Sequence, residues 1–174
     1  MKIIIEGPDN VGKSTLIRNI IEEFKVPWIY ICGYKIQSGS KDFQENLEKD
    51  IKMNFFDCME NSKYIISDRN YLSTYVYSPL YRGYNGDFVF KLEKQYNLDD
   101  WTLILLTDEI ENLIKRDDGL SFSTNFENKQ KELQLFKEGF EKSHIQNKKI
   151  FNVSELNEEN LKNKVIQYLK EIYL

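Results

Sequence analysis

The chain has 174 residues, 41% hydrophobic and 30% charged. That length and balance suit one domain with a single core and exclude the apolar-poor composition of disordered chains. A formal charge of −4 supplies no net basic field, which disfavours long nucleic acid and leaves small anions, held in a local basic cleft, as the expected partners.

Lys2 to Glu6 is a β-branched run ending at Gly7-Pro8 and reads as a strand buried on both faces. From Lys13 to Phe24 the apolar residues Leu16, Ile17, Ile20, Ile21 and Phe24 recur at helical spacing, and Pro27 closes the segment. Trp28 to Cys32 reads as a second strand. Lys41 to Asn61 reads as a helix, with Phe43, Leu47, Ile51, Phe55 and Met59 four apart. A third strand, Tyr64 to Ser67, ends at Asp68. Helices over Tyr71 to Tyr81 and Asp87 to Tyr96 are expected on either side of the breaker Arg82-Gly83-Tyr84-Asn85-Gly86. Thr102 to Leu106 is a fourth strand and Asp108 to Lys115 a helix. The polar stretch from Arg116 to Asn125, with Gly119 inside it, is expected to form a mobile lid over about 116–126. A helix over Phe126 to Ile145, a fifth strand over Lys149 to Val153 and a final helix with the stripe Leu161, Val165, Ile166, Leu169 and Ile172 complete the chain.

This alternation implies a parallel five-stranded sheet with helices on both faces, a three-layer α/β fold in one domain over 1–174, with ligands at the carboxyl ends of the strands. Gly7, Asp68 and Thr107 all fall at such ends. Cys32 and Cys58 make neither a disulfide framework nor a metal-ligand spacing, and Ile3 to Ile5 is too short for an export signal or a membrane span. A cytoplasmic protein with no membrane partner is therefore expected.

Gly7-Pro8-Asp9-Asn10-Val11-Gly12-Lys13-Ser14 fits G-x-x-x-x-G-K-[ST] between an expected strand and an expected helix. Such a loop turns its backbone N–H groups inward around a phosphate at a helix N-terminus. Gly7, Asn10, Val11, Gly12, Lys13, Ser14 and Thr15 are thus the candidate nucleotide-binding residues. Lys13 reaches toward the β and γ phosphates of ATP, and the Ser14 hydroxyl toward Mg²⁺. After the third strand, Asp68 can hold a magnesium-bound water, and the planar fork of Arg69 can grip an acceptor phosphate. Only four arginines, Arg18, Arg69, Arg82 and Arg116, stand against twenty lysines. Arg69, Arg82 and Arg116 sit at a strand end, in a breaker and at the start of the lid, whereas Arg18 reads as helix surface.

Ile5-Glu6-Gly7-Pro8-Asp9-Asn10-Val11-Gly12-Lys13-Ser14-Thr15 and Asp68-Arg69-Asn70-Tyr71-Leu72-Ser73-Thr74-Tyr75-Val76-Tyr77 resemble the two signature blocks of the thymidylate kinase family of P-loop nucleoside monophosphate kinases. Thr102 to Arg116 is similar to that family's fourth strand and the helix leading into its lid. The resemblance implies that Asp9 touches the acceptor sugar and Arg69 its phosphate; Tyr77 to Gly83 extends the second block, where Tyr77 and Arg82 either supply a replacement acceptor contact or form a plain helix end with a solvent-facing arginine. Arg116 would close over the transferring phosphoryl group, because Asn10 leaves the loop without a cation there. Asn70 stands where the family has an aromatic residue, the R-E-P-G segment after the second strand is missing, and the lid has a single arginine. A helix-mediated homodimer is also what the resemblance implies.

The expected activity is transfer from ATP to a deoxynucleoside monophosphate, dTMP or a related pyrimidine nucleotide, with Lys13, Arg116 and Asp68 as catalytic residues and Ser14 and Asp68 holding the metal. A nucleoside kinase needs a base for a neutral hydroxyl; the resemblance implies that related nucleoside kinases place a glutamate just after the second strand, where Cys32-Gly33-Tyr34-Lys35-Ile36-Gln37 carries no acid. A thymidine-type kinase, a kinase of polynucleotide ends or modified bases, and a nucleotide-binding switch are the alternatives. His144 reads as a helix-surface residue without a carboxylate partner, and the lysines and glutamates from Lys129 to Lys149 as a solvated face.

Overall fold

A computed structural model describes residues 1–32, 43–119 and 121–174. The segment Gly33 to Gln37, the expected helix start at Lys41 and the side chains of Phe43 and Phe55 lie outside the described residues.

Strands β1 (Lys2–Glu6), β2 (Ile29–Cys32), β3 (Ile65–Asp68), β4 (Trp101–Thr107) and β5 (Asn147–Asn152) form one sheet in the order β2-β3-β1-β4-β5. Every pairing is parallel. The two central strands β1 and β4 are buried along their whole length, and the period of two sends successive side chains into opposite cores. Ile4, Ile65, Leu103 and Leu105 enter one core, while Ile3, Ile5, Ile66, Ile104 and Leu106 enter the other.

Helices α1 (Lys13–Glu23) and α8 (Glu158–Tyr173) cover the second core through Leu16, Ile17, Ile20, Leu161, Val165 and Leu169. The first core is covered by α2 (Phe43–Asp50), α3 (Cys58–Asn61), α4 (Tyr71–Tyr77), α5 (Phe88–Glu93) and α7 (Phe126–Lys142). The short α6 (Ile110–Lys115) follows β4. Two π-helical stretches, Ile51–Asp57 and Ser78–Arg82, were not foreseen from spacing. The second joins α4 to Gly83, whose φ of 77° ends the helix. Gly139 of α7 is the close-approach point between α4 and α7, since a Cβ there would lie 2.9 Å from Tyr75 Cδ1.

Two readings of the α7 region are corrected. The helix stops at Lys142 and not at Ile145, because Glu93 draws the chain out of it. Fully buried Glu93 accepts from Ser143 Oγ at 2.7 Å, Tyr71 OH at 2.6 Å and the His144 backbone N–H at 3.2 Å. His144 therefore lies beyond the helix, and its Nδ1 sits 2.9 Å from Glu93 Oε2. The charged run beginning at Lys129 is solvated along most of α7, but Lys129 and Glu132 are fully buried and paired at 3.1 Å.

The registers Ile5↔Asp68, Cys32↔Asp68 and Glu6↔Leu105 bring the carboxyl ends of β1, β2, β3 and β4 to one edge of the sheet. No helix among the described residues is long and apolar enough to cross a membrane.

Candidate functional site

A glycine loop, a strand end and the segment after α6 converge on one cleft of about 1270 Å³. Its lining includes Asp9, Lys13, Ser14, Asp68, Arg69 and Arg116. A single drug-sized ligand occupies roughly 300–1,000 Å³, so the cleft is larger than one such ligand needs.

The loop has the backbone its motif requires. Gly7 has φ 145°, and a Cβ there would lie 2.4 Å from Leu106 O, so no side chain fits. Among the described non-glycine residues only Asn10 and Arg69 adopt positive φ, 65° and 69°, a conformation of measurable cost that persists where the surroundings over-determine it. At Arg69 they do: its N–H donates to Ile5 O at 2.9 Å and its carbonyl accepts from Ser67 Oγ at 2.7 Å. The chain thereby turns the guanidinium back over the phosphate loop.

Arg69 Nη1 donates to Gly7 O at 2.8 Å and to Ser73 Oγ at 3.0 Å, and Nη2 meets Asp9 Oδ1 at 2.5 Å. Those bonds use three of the five guanidinium donors and leave two for an anion in the cleft. Burial opposes the Asp9 charge, but the nearby cations Arg69, Lys13 and Lys129 outweigh it and hold the carboxyl below its usual value. Beneath them Glu6 accepts from Asn70 N at 2.7 Å and from Ser73 Oγ at 2.6 Å, tying β1 to the start of α4. Glu6 and Ser73 lie inside the quoted blocks, yet their supporting role was not read there, because a buried carboxylate inside a strand declares itself only through its partners. If Arg69 grips the phosphate of an acceptor, as expected from the sequence, replacing it by alanine raises the acceptor KM by about 10²-fold, the scale of a lost charge-assisted bidentate contact. Steady-state kinetics at saturating donor measures this, and an unchanged KM would place the acceptor elsewhere.

Lys13 is buried, with Nζ donating to Pro8 O at 2.7 Å and Gly7 O at 3.3 Å. Burial, with the Arg69 charge beside it, pushes its pKa down to about 7, although Asp68, Asp9 and Glu6 pull the other way. An anionic phosphate chain favours the protonated ammonium, so the pKa in a complex lies above that in the free protein. Binding then takes up a proton above pH 7, and affinity for a triphosphate falls as pH rises from about 7, by at most tenfold per unit. Calorimetric titration of an ATP analogue at pH 8 in buffers of differing ionisation enthalpy should show uptake approaching one proton; no uptake would contradict it.

Ser14 Oγ donates to Asp68 Oδ2 at 2.9 Å. A hydroxyl and a carboxylate so placed at the mouth of the phosphate loop fit the oxygen-only preference of Mg²⁺. Asn10 does not face the loop interior: its Nδ2 donates to Asp117 Oδ1 and Ser121 Oγ, both at 3.1 Å, tying the phosphate loop to the segment after α6. Arg116 lines the cleft, with its guanidinium paired to the buried carboxylate of Asp108 and its Nε donating to Asn112 O at 3.1 Å. Tyr77 is buried, its ring 5.3 Å from the Arg69 guanidinium, and its hydroxyl has no hydrogen-bond partner among the described residues. Arg82 and Thr15 also line the cleft.

Solved structures share this architecture. Thymidylate kinase from Candida albicans superposes with a TM-score of 0.72 at 18% identity, covering 97% of this chain and 90% of that one. The YorR protein of Bacillus subtilis, in complex with phosphorylated GDP, gives 0.69 at 18% identity over 98% and 96%. Deoxyadenosine kinase from M. mycoides with bound dATP gives 0.60 at 19% identity over 98% and 100%. At these identities the likeness establishes the three-layer α/β P-loop fold. No curated protein matches the sequence. The profile of the family described as an AAA domain matches residues 2–154, from β1 into the turn after β5, and the chain therefore belongs to that family.

Proposed function

We propose that the protein is a nucleotide kinase that moves the γ-phosphoryl group of ATP onto a deoxynucleoside monophosphate, with dTMP or a related pyrimidine nucleotide as the first choice. The observation that carries this reading is the placement of Arg69. A strained backbone, Gly7 O, Ser73 and Asp9 together hold its guanidinium in the same cleft as the Lys13 loop, with two donors left over. A switch that merely senses a triphosphate has no use for a second anion grip in line with the first.

Acceptor phosphate oxygens are already ionised near neutral pH, so such a reaction needs positioning and neutralisation of charge and no strong base. Lys13 and the loop amides bind the donor, Ser14 and Asp68 would hold Mg²⁺, and the metal would neutralise charge on the phosphates. Asp9 and Tyr77 lie beside Arg69 and face the acceptor sugar. The neighbouring structures support a nucleotide or nucleoside acceptor, since their names include a thymidylate kinase and a deoxyadenosine kinase.

That deoxyadenosine kinase also supports a second reading, transfer to the hydroxyl of a free deoxynucleoside. ADP release with ATP and Mg²⁺ against a panel of deoxy- and ribonucleoside monophosphates and their nucleosides separates the two. Turnover with a monophosphate and none with its nucleoside is expected. Activity on nucleosides alone would transfer the assignment to the second reading, and no acceptor-dependent ADP would leave a nucleotide-binding switch.

A further inference from the structure

Lys129 and Glu132 are the most unexpected charges in the molecule. Both are fully buried, in the first two turns of α7, where a cation meets the unfavourable end of the helix dipole. Burying such a pair rarely stabilises a fold more than apolar residues of the same volume would. A role in fixing geometry is the better account, and the contacts show what is fixed.

Glu132 Oε2 takes Lys129 Nζ at 3.1 Å, and its Oε1 accepts from Tyr81 OH at 2.6 Å. The Tyr81 ring stacks on Phe122, centroids 5.0 Å apart and planes within 9°. Phe122 lies in the segment between α6 and α7 and packs against Tyr77 at 5.1 Å, and Tyr77 carries the Arg69 guanidinium over its ring at 5.3 Å. Tyr77, Phe122 and Arg69 line the cleft, whereas Tyr81, Glu132 and Lys129 stand behind that wall. Hence an unbroken series of contacts runs from a buried ion pair to the arginine that faces the acceptor, and it passes through the lid.

We propose that the Lys129–Glu132 pair is a positioning element for the acceptor: by clamping the Tyr81 hydroxyl it fixes the ring behind the aromatic wall of Phe122 and Tyr77, and so couples placement of the lid to acceptor binding. This rests on the kinase reading above. Its ligand is the sugar and base end of a nucleotide, because the wall offers flat aromatic faces beside a guanidinium. Lys129 also acts electrostatically on the phosphate loop and the segment after α6: burial raises the Asp9 pKa, Arg69 and Lys13 outweigh it and Lys129 adds to their lowering, while at Asp117 the Ser121 hydrogen bond is the main lowering influence and Lys129 a small one.

Two variants test the clamp without demanding that a lone buried charge be tolerated. Tyr81→Phe keeps the ring and removes the bond to Glu132; Lys129→Met with Glu132→Leu removes both charges at similar volume. Each is expected to raise the acceptor KM about tenfold, the scale of a lost orienting hydrogen bond, while the Kd for an ATP analogue stays within about twofold. Amide hydrogen exchange across residues 117–125 should quicken in both variants and stay unchanged in α8. A fall in Tm with unaltered acceptor KM and unaltered exchange in 117–125 would reduce the pair to a structural role and overturn the proposal. Should the wild-type protein transfer no phosphoryl group to any acceptor, the kinase reading fails, and the exchange measurement still judges the clamp: unchanged exchange in 117–125 overturns it.

Discussion

On the kinase reading, replacing Lys13 by alanine is expected to lower phosphoryl transfer by at least about 10³-fold, the scale on which a preorganised charge at a transferring phosphoryl group is lost. Thermal unfolding should stay the same or move slightly upward. Both expectations come from one circumstance. The Lys13 ammonium is buried, and its depressed pKa of about 7 reports that the protein surrounds it unfavourably until a phosphate arrives. Removing the group therefore relieves a desolvation cost in the free protein and abolishes its compensation in the complex. Its two hydrogen bonds go to the carbonyls of Gly7 and Pro8, and Gly7 O keeps its bond from Arg69 Nη1 at 2.8 Å. A coupled assay of ADP formation, read beside a melting curve, measures the pair of effects. Unchanged turnover would remove the loop from the chemistry, and a large fall in Tm would make the lysine structural.

Much of this site could be read from the sequence because it is built from local signals. The loop between β1 and α1 and the Asp68-Arg69 pair after β3 each combine a motif with its own flanking strand or helix, so spacing alone places them at one sheet edge. The strands themselves are legible as buried apolar runs, as in β1 and β4, where no helical period competes. What escaped was whatever depends on partners distant in the chain. Glu132 and Lys129 have the spacing of ordinary solvated helix charges, and only Tyr81, 51 residues away from Glu132, shows that they point inward. His144 likewise looks unpartnered until Glu93, also 51 residues away, is folded against it. The π-helical stretches escaped for a different reason: one extra residue in a turn shifts the phase of a helix without changing its composition. Asn10 lines the cleft as a residue of the phosphate loop, and the tie of its side chain to Asp117 and Ser121, more than 100 residues away, has no local signal.

Arg116 bears the second large effect. Asn10 gives the phosphate loop no cation at that position, so on the kinase reading the charge that develops on the transferring group must be met from the lid. Arg116 and Lys115 line the cleft there. Arg116 is held by the buried Asp108 carboxylate, which itself accepts from Asn112 Nδ2 at 3.1 Å and from Glu109 N at 2.7 Å. That anchorage positions the guanidinium at the cleft wall before any nucleotide is bound, and if Arg116 swings to a phosphate the buried Asp108 carboxylate keeps its bonds from Asn112 Nδ2 and Glu109 N. Arg116→Ala is therefore expected to lower kcat by about 10³-fold, within the range measured for arginines that contact a transferring phosphoryl group, and to leave the acceptor KM within about threefold. Lys115→Ala should cost no more than about tenfold, since an ammonium without the planar fork neutralises charge less specifically. Arg116→Lys should fall between the two. Near-normal turnover in Arg116→Ala would return this arginine to the solvated surface, and an equal loss in Lys115→Ala would move the role to its neighbour. A rise in acceptor KM in place of the fall in kcat would mean that Arg116 binds the ground state, and that the charge of the transition state is met by Lys13 and the metal alone.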